Sequence, residues 1–239
     1  MTVNLLDGAG NPLAGKTTTT NASGYYGFSN LEAGSYKVEF VKPVGYSAFS
    51  PADQGANDAV DSDANPSTGM TTTIALTAGQ NDLRWDAGLY QYASLGDFVW
   101  FDENSNGIQD PGEAGVEGVI VNLLDANGNP TGLTTTTSAS GYYLFGNMVP
   151  GSYRVEFVLP DDYDGFTLLN IGSDITLDCD ADLITGITAL ITLSSGQHDL
   201  TWDAGLLSSG GGDDEDPIAE PAALGALGIA LMTFRRRRS

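Results

Sequence analysis

Short runs of alternating apolar and polar residues, each closed by Gly, Pro or Asn, recur along this chain and predict β-strands. In residues 34–40, Tyr36, Val38 and Phe40 fall on one face and Lys37 and Glu39 on the other, the signature of a half-buried antiparallel strand. Residues 72–77 and 82–86 read the same way, and residues 95–101 and 116–121 are rich in β-branched and aromatic side chains with partial alternation. Tyr26 pairs with Phe28, and Tyr143 with Phe145, on faces that suit a core. Tyr25 and Tyr142 then point outward, as candidate stacking residues for a glycan or a matrix protein. Nothing before residue 208 carries the period of a long amphipathic helix.

The pattern repeats. Val3-Asn4-Leu5-Leu6-Asp7 returns as Val121-Asn122-Leu123-Leu124-Asp125 at an offset of 118, one residue is lost, and Thr17 to Leu89 then returns at an offset of 117. Trp85-Asp86-Ala87-Gly88-Leu89 thus matches Trp202-Asp203-Ala204-Gly205-Leu206. A unit of this size is a domain in tandem rather than a solenoid repeat. The expected class is all-β, with an immunoglobulin-like sandwich of about seven strands in each copy. The domains are residues 1–90 and 94–207, followed by a linker at 208–217 and a tail at 218–239. Met1-Thr2 stands in the place of Val119-Ile120, so the strand and loop of residues 94–118 have no counterpart in the first copy, which points to a fragment of a longer exported protein or a misplaced start.

Charge narrows the chemistry. The net charge is −22, and residues 1–207 hold all but five of the 31 acidic side chains and all but four of the nine basic ones. That balance excludes nucleic acid as a partner, because phosphate binding needs Lys/Arg surfaces. Cys179 is the only cysteine, so no intrachain disulfide can staple the fold. It reads as a small spacer, and His198, the only histidine, as a turn residue, leaving zinc and Cys/His catalysis without a ligand set.

The strongest chemical signal is residues 102–113, which fit the twelve-position calcium loop D-x-[DN]-x-[DN]-G-x5-E at every specified place. Asp102, Asn104, Asn106 and Asp110 supply side-chain oxygens, Ile108 a backbone carbonyl and Glu113 a bidentate carboxylate, while Gly107 permits the turn. The flanks are strands, so a helix-opening sensor is not expected. Only three of these ligands are charged, which predicts a dissociation constant of roughly 10⁻⁵ to 10⁻³ M, suited to extracellular calcium.

A second acidic set follows. Asp178, Asp180 and Asp182 alternate and, in extended chain, would share one face, where their repulsion needs a cation or water. Asp174, Asp178, Asp180 and Asp203 form a candidate second calcium site, with Asp61, Asp63 and Asp86 as the equivalent in the first copy; a solvated acidic loop is the competing reading. A glycosidase pair would need one carboxyl in an apolar pocket, whereas these lie among Asn, Gly and other Asp, so no enzyme is expected.

The run Gly96-Asp97-Phe98-Val99-Trp100-Phe101, the loop at 102–113, Ser140-Gly141-Tyr142-Tyr143, Pro150-Gly151-Ser152-Tyr153 and the closing Asp203-Ala204-Gly205-Leu206 resemble the B repeats of serine-aspartate repeat surface proteins, related to the collagen-adhesin B-type fold. The resemblance covers almost all of residues 1–207. It implies a prealbumin-like, Greek-key sandwich that binds Ca²⁺ and acts as a stiff, non-catalytic spacer or stalk in a cell-surface adhesin. No serine-aspartate tract and no LPxTG-type signal accompanies it. The Lys-to-Asn crosslink of related folds is excluded in the second copy, which has no Lys.

Beyond the acidic Gly/Ser linker, Glu220-Pro221-Ala222, an apolar run to Phe234 and Arg235 to Arg238 resemble a PEP-CTERM sorting signal, although Ala219 stands where the first Pro belongs. That resemblance implies a short apolar helix, contact with a membrane and processing by a sorting enzyme of the exosortase type. The reading is therefore a secreted, surface-associated calcium-binding repeat protein; the alternative is a module that recognises a glycan or matrix protein through its exposed aromatics and loops.

Overall fold

In a computed structural model, residues 1–57 and 59–208 can be described, and they include fifteen strands. The first copy contributes β1 (Thr2–Asp7), β2 (Pro12–Thr19), β3 (Gly34–Val41), β4 (Ala48–Phe49), β5 (Ile74–Leu76) and β6 (Leu89–Tyr90). The second contributes β7 (Ala93–Phe101), β8 (Ile120–Asp125), β9 (Pro130–Thr136), β10 (Tyr142–Met148), β11 (Gly151–Phe157), β12 (Gly165–Phe166), β13 (Ile191–Leu193), β14 (His198–Leu200) and β15 (Ala204–Leu207). The fold is a tandem β-sandwich, six strands in one copy and nine in the other against about seven expected in each. The C-terminal helix and tail lie outside the described residues. Among those described, no helix is long and apolar enough to cross a membrane.

One sheet is common to both copies, ordered β2-β1-β3-β5 in the first and β9-β8-β11-β13 in the second, antiparallel throughout. Its inward residues follow the expected alternation, with Val38, Phe40, Val155 and Phe157 buried. The opposing sheets differ. In the second copy β7 is central, antiparallel to β10 and parallel to β14 and β15, and β15 pairs with β12. Buried on both faces, β7 reads as a near-continuous apolar run rather than a clean alternation. Trp100 is fully buried, and a side chain at Gly205 would collide with its ring, the Cβ standing 2.7 Å from Cζ2. In the first copy the corresponding sheet is reduced to β4 and β6.

The consequence shows in the cores. The second copy packs Leu95, Val99, Trp100, Tyr143, Phe145 and Leu206 with both sheets into one large cluster. The first buries only Val3, Leu5, Val38, Phe40, Phe49, Ala64 and Ile74 in its cluster, with Tyr26, Phe28 and Trp85 left half-buried against it.

Candidate metal centre

The acidic loop leaves the end of β7 and folds on itself. Asp102, 1% exposed, accepts from the Asn106 N–H at 3.2 Å and the Gly107 N–H at 2.8 Å, and also from the Thr167 hydroxyl. Gly107 turns the chain with φ of +81°, in the left-handed region open to glycine. At the far end the two carboxylate oxygens of Glu113 accept from the N–H groups of Glu103 (3.0 Å) and Asp110 (2.9 Å), closing the ring. Within it, the amides of Asn104 and Asn106 donate to one oxygen of Asp110 at 2.8 and 2.7 Å, which holds that carboxyl below its usual range. Loop positions three, five and nine therefore meet at a point, with the carboxylates of positions one and twelve held by backbone donors around it.

This donor set fits a hard cation: all oxygen, carboxylates from both ends, and amide groups whose oxygens are reached by rotation. Their oxygens now accept the Asn106 and Ile108 N–H groups as local turns. Among the described residues no group of three or more His, Cys, Asp or Glu side chains is drawn together as a metal would hold it.

The second acidic set divides in two. Asp178 lies beside the loop: Ile108 pairs with it in an isolated antiparallel bridge, and Gln109 N donates to the Leu177 carbonyl at 2.7 Å. Asp174 caps its own turn through Thr176. Asp180 and Asp203 lie under β7. The Asp180 N–H donates to the Asp203 carbonyl at 2.8 Å, the Asp203 N–H donates to Asp180 Oδ2 at 2.8 Å, and Asp203 Oδ1 accepts from Phe98 N at 2.9 Å. Asp203 is fully buried. Burial first, and then the charges of Asp97 and Asp180, push its carboxyl up to about 9; burial lifts Asp180 to about 7 and Asp97 to about 6. Asp203 Oδ2 and Asp178 Oδ1 are buried without a hydrogen-bond partner, the condition a bound cation would relieve.

Residues 178–182 do not form the extended acidic face that their alternation suggests. Cys179 packs fully into the core, its thiol pushed up to about 11 by burial, and Asp182 turns away to cap the Ile184 and Thr185 N–H groups. His198 lies in β14 rather than a turn, its Nδ1 2.7 Å from the Ser94 hydroxyl. Sequence reasoning missed Asp97, although a lone carboxylate inside the apolar run of β7 was a signal; the reach of Thr167 to Asp102 left none. In the first copy the Asp86 N–H donates to Asp63, Asp61 Oδ1 is buried without a hydrogen-bond partner, and Asp86 is exposed where Asp203 is covered. Tyr25 is exposed, and Tyr142, also exposed, rests edge-on against Phe98 at 4.8 Å between ring centres.

The family model of the SdrD B-like domain matches residues 1–89 and again 93–206. The chain belongs to this family. Serine-aspartate repeat-containing protein F of Staphylococcus epidermidis is 43% identical over 190 residues, covering 79% of this chain and 11% of the relative. Serine-aspartate repeat-containing protein D of Staphylococcus aureus (strain Newman) is 38% identical over 207 residues, covering 86% of this chain and 14% of the relative. The chain thus spans a small part of the length of the relatives it matches. Among solved structures, GBS52, the minor pilin of Streptococcus agalactiae, superposes with a TM-score of 0.33 at 15% identity, covering 87% of this chain and 71% of that one. A superposition that loose carries no functional weight. The two SdrD B-like repeats here are non-catalytic units of the serine-aspartate repeat class.

Proposed function

We propose that this protein is a calcium-dependent spacer of the extracellular surface, a stalk segment whose acidic corners are closed by Ca²⁺. The observation that supports it is the closed loop at residues 102–113, in which Glu113 ties both ends of the ring and the side chains of Asn104, Asn106 and Asp110 converge. Asp102, Asn104, Asn106, Asp110, Glu113 and the Ile108 carbonyl would hold the ion, and its double positive charge would offset the mutual repulsion of the carboxylates. Asp178, beside the loop, and Asp180 and Asp203, beneath β7, form the second candidate position, and Asp61, Asp63 and Asp86 its weaker counterpart.

The spacer role rests on what the chain's own residues do. Gln91, between the copies, ties them together: its side-chain amide donates to the Gly45 carbonyl at 2.7 Å, its N–H donates to the Ser195 hydroxyl at 2.8 Å, and its carbonyl accepts from Gly196 N at 3.2 Å. These three hydrogen bonds reach from Gln91 to both copies, the kind of tie that a stiff connector needs. A surface location and membership of a longer adhesin follow from the likeness to serine-aspartate repeat proteins, and belong to this same proposal.

Calorimetric titration of the metal-stripped chain tests the reading. Wild type should take up Ca²⁺ with a dissociation constant of roughly 10⁻⁵ to 10⁻³ M, and Glu113→Gln should lose the tightest site. Equal uptake by both proteins would contradict it.

A further inference from the structure

The chain holds two Asn-Gly pairs, Asn106-Gly107 and Asn127-Gly128. A glycine after asparagine leaves the next backbone nitrogen unshielded by a Cβ, so that nitrogen can reach the carbonyl carbon of the asparagine side chain. The fold gives the two pairs opposite surroundings. Asn127 and Gly128 are exposed in the hairpin between β8 and β9. Their N–H groups close the turn on Asp125, Asn127 N donating to Oδ1 at 2.9 Å and Gly128 N to the backbone carbonyl at 3.0 Å. Among the described residues the Asn127 side chain has no hydrogen-bond partner, and nothing lies within 4 Å of the place a Cβ on Gly128 would take.

Asn106-Gly107 lies inside the ring at 102–113. The nitrogen that would attack, Gly107 N, donates to the buried Asp102 carboxylate at 2.8 Å. Asn106 Oδ1 accepts from Ile108 N at 2.7 Å, and the Asn106 amide nitrogen, which would be the leaving group, donates to Asp110 at 2.7 Å. Gly107 is buried, with the Leu168 carbonyl oxygen 2.7 Å from the place its Cβ would take. Nucleophile, carbonyl and leaving group are each held by another partner.

We propose that Asn127 is a site of spontaneous covalent modification, passing through a succinimide to aspartate and isoaspartate, and that the ring at 102–113 shields Asn106 from the same reaction. Gly128 N bonds to Asn127 Cγ, and its proton passes through water to the side-chain nitrogen, which leaves as ammonia. Water then opens the five-membered ring, at Cγ to give aspartate or at the α-carbonyl carbon to give isoaspartate. One water enters for the ammonia lost, and nothing is oxidised or reduced. The mark belongs to the second copy alone, because Ala9 stands at this hairpin position in the first. The carboxylate formed enters a depression of about 410 Å³ that Asn127 shares with Arg154, the only Lys or Arg side chain in residues 94–207. At Asn106 the same chemistry would put a new charge or an extra backbone methylene into the ring, so the shielding keeps the loop as the sequence encodes it.

The test incubates the full chain in EDTA at pH 8 and follows both residues separately by peptide mapping and mass spectrometry, so its result does not depend on whether the loop takes up metal. In the folded chain Asn127 should convert faster than Asn106 by roughly tenfold or more, since three hydrogen bonds must open before Asn106 can react. In urea the two rates should converge, because both pairs are then free. Asn127→Ala, which installs the residue of the first copy, should abolish the fast release of ammonia. Equal rates in the folded chain, a slower Asn127, a difference that survives in urea, or a fast release that persists in Asn127→Ala would each overturn the proposal.

Discussion

Ile108 and Asp178 face one another in an isolated antiparallel bridge, which joins the loop at 102–113 to the acidic segment that follows β12. The two acidic regions of the second repeat are therefore one mechanical unit. The Cβ that Gly107 lacks would lie 2.7 Å from the Leu168 carbonyl oxygen, so the loop also lies flat against this segment. Closing either part steadies the other.

Asp102 is the loop's anchor whether or not metal is present, since its buried carboxylate satisfies two backbone N–H groups and the Thr167 hydroxyl. Asp102→Ala strands all three, and the loss of buried partners predicts a cost of about 2–4 kcal/mol in urea unfolding of the metal-free protein. A change below about 0.5 kcal/mol would show that the loop does not hold its closed form.

The buried carboxylates give the metal-free protein an unusual pH dependence. Asp203, Asp180 and Asp97 are all raised in the folded state, to about 9, about 7 and about 6, above the ordinary carboxyl value of about 3.9 that the unfolded chain approaches. Between those limits the folded chain binds more protons than the unfolded one, so stability is fully present below about pH 4 for these groups and is lost as pH rises through 6, 7 and 9. In EDTA the second repeat should unfold at a lower temperature at pH 8 than at pH 5. Asp203→Asn keeps the acceptor for Phe98 N and removes the charge, so it should raise stability at pH 8 by on the order of 1–3 kcal/mol and have little effect at pH 5. Calorimetry at the two pH values reads this directly; a variant less stable at pH 8 would refute the electrostatic account.

Unequal cores predict unequal repeats. Amide exchange should be faster in residues 24–31 and 81–88 of the first copy than in 141–148 and 198–205 of the second, because only the latter are paired to β7. Tyr143→Phe removes the hydrogen bond that a buried tyrosine gives to the Trp202 carbonyl and should cost about 0.5–1.5 kcal/mol, with Tyr26→Phe costing less at its half-buried residue. Equal exchange rates in the two copies would contradict this ranking.

The strands of the shared sheet were legible because alternation in residues 34–40 directly reports one buried and one wet face. So was the sandwich, since the internal repeat requires whatever architecture serves both copies. Residues 25–28 show the limit of that logic: they carry the pattern of 142–145, but a strand is a relation between two segments, and their partner is not among the described residues. The acidic run at 178–182 misled for a different reason. Cys179 is drawn into the core and Asp182 into a turn cap, so the spacing of two held without the extended backbone that gives it meaning. The loop at 102–113 folds on itself through contacts that are local in sequence, which is why its turn was legible, whereas Thr167 closes on Asp102 from 65 residues away.

Thermal unfolding of the intact chain at pH 7.5 with saturating Ca²⁺ and with EDTA, followed together with its radius of gyration by X-ray scattering, tests the calcium-closed stalk most directly. At about a hundredfold excess over the dissociation constant, one site should contribute roughly 2.7 kcal/mol, so EDTA should lower the melting temperature by several degrees and loosen the dimensions. Identical melting curves and identical scattering in the two conditions would contradict it.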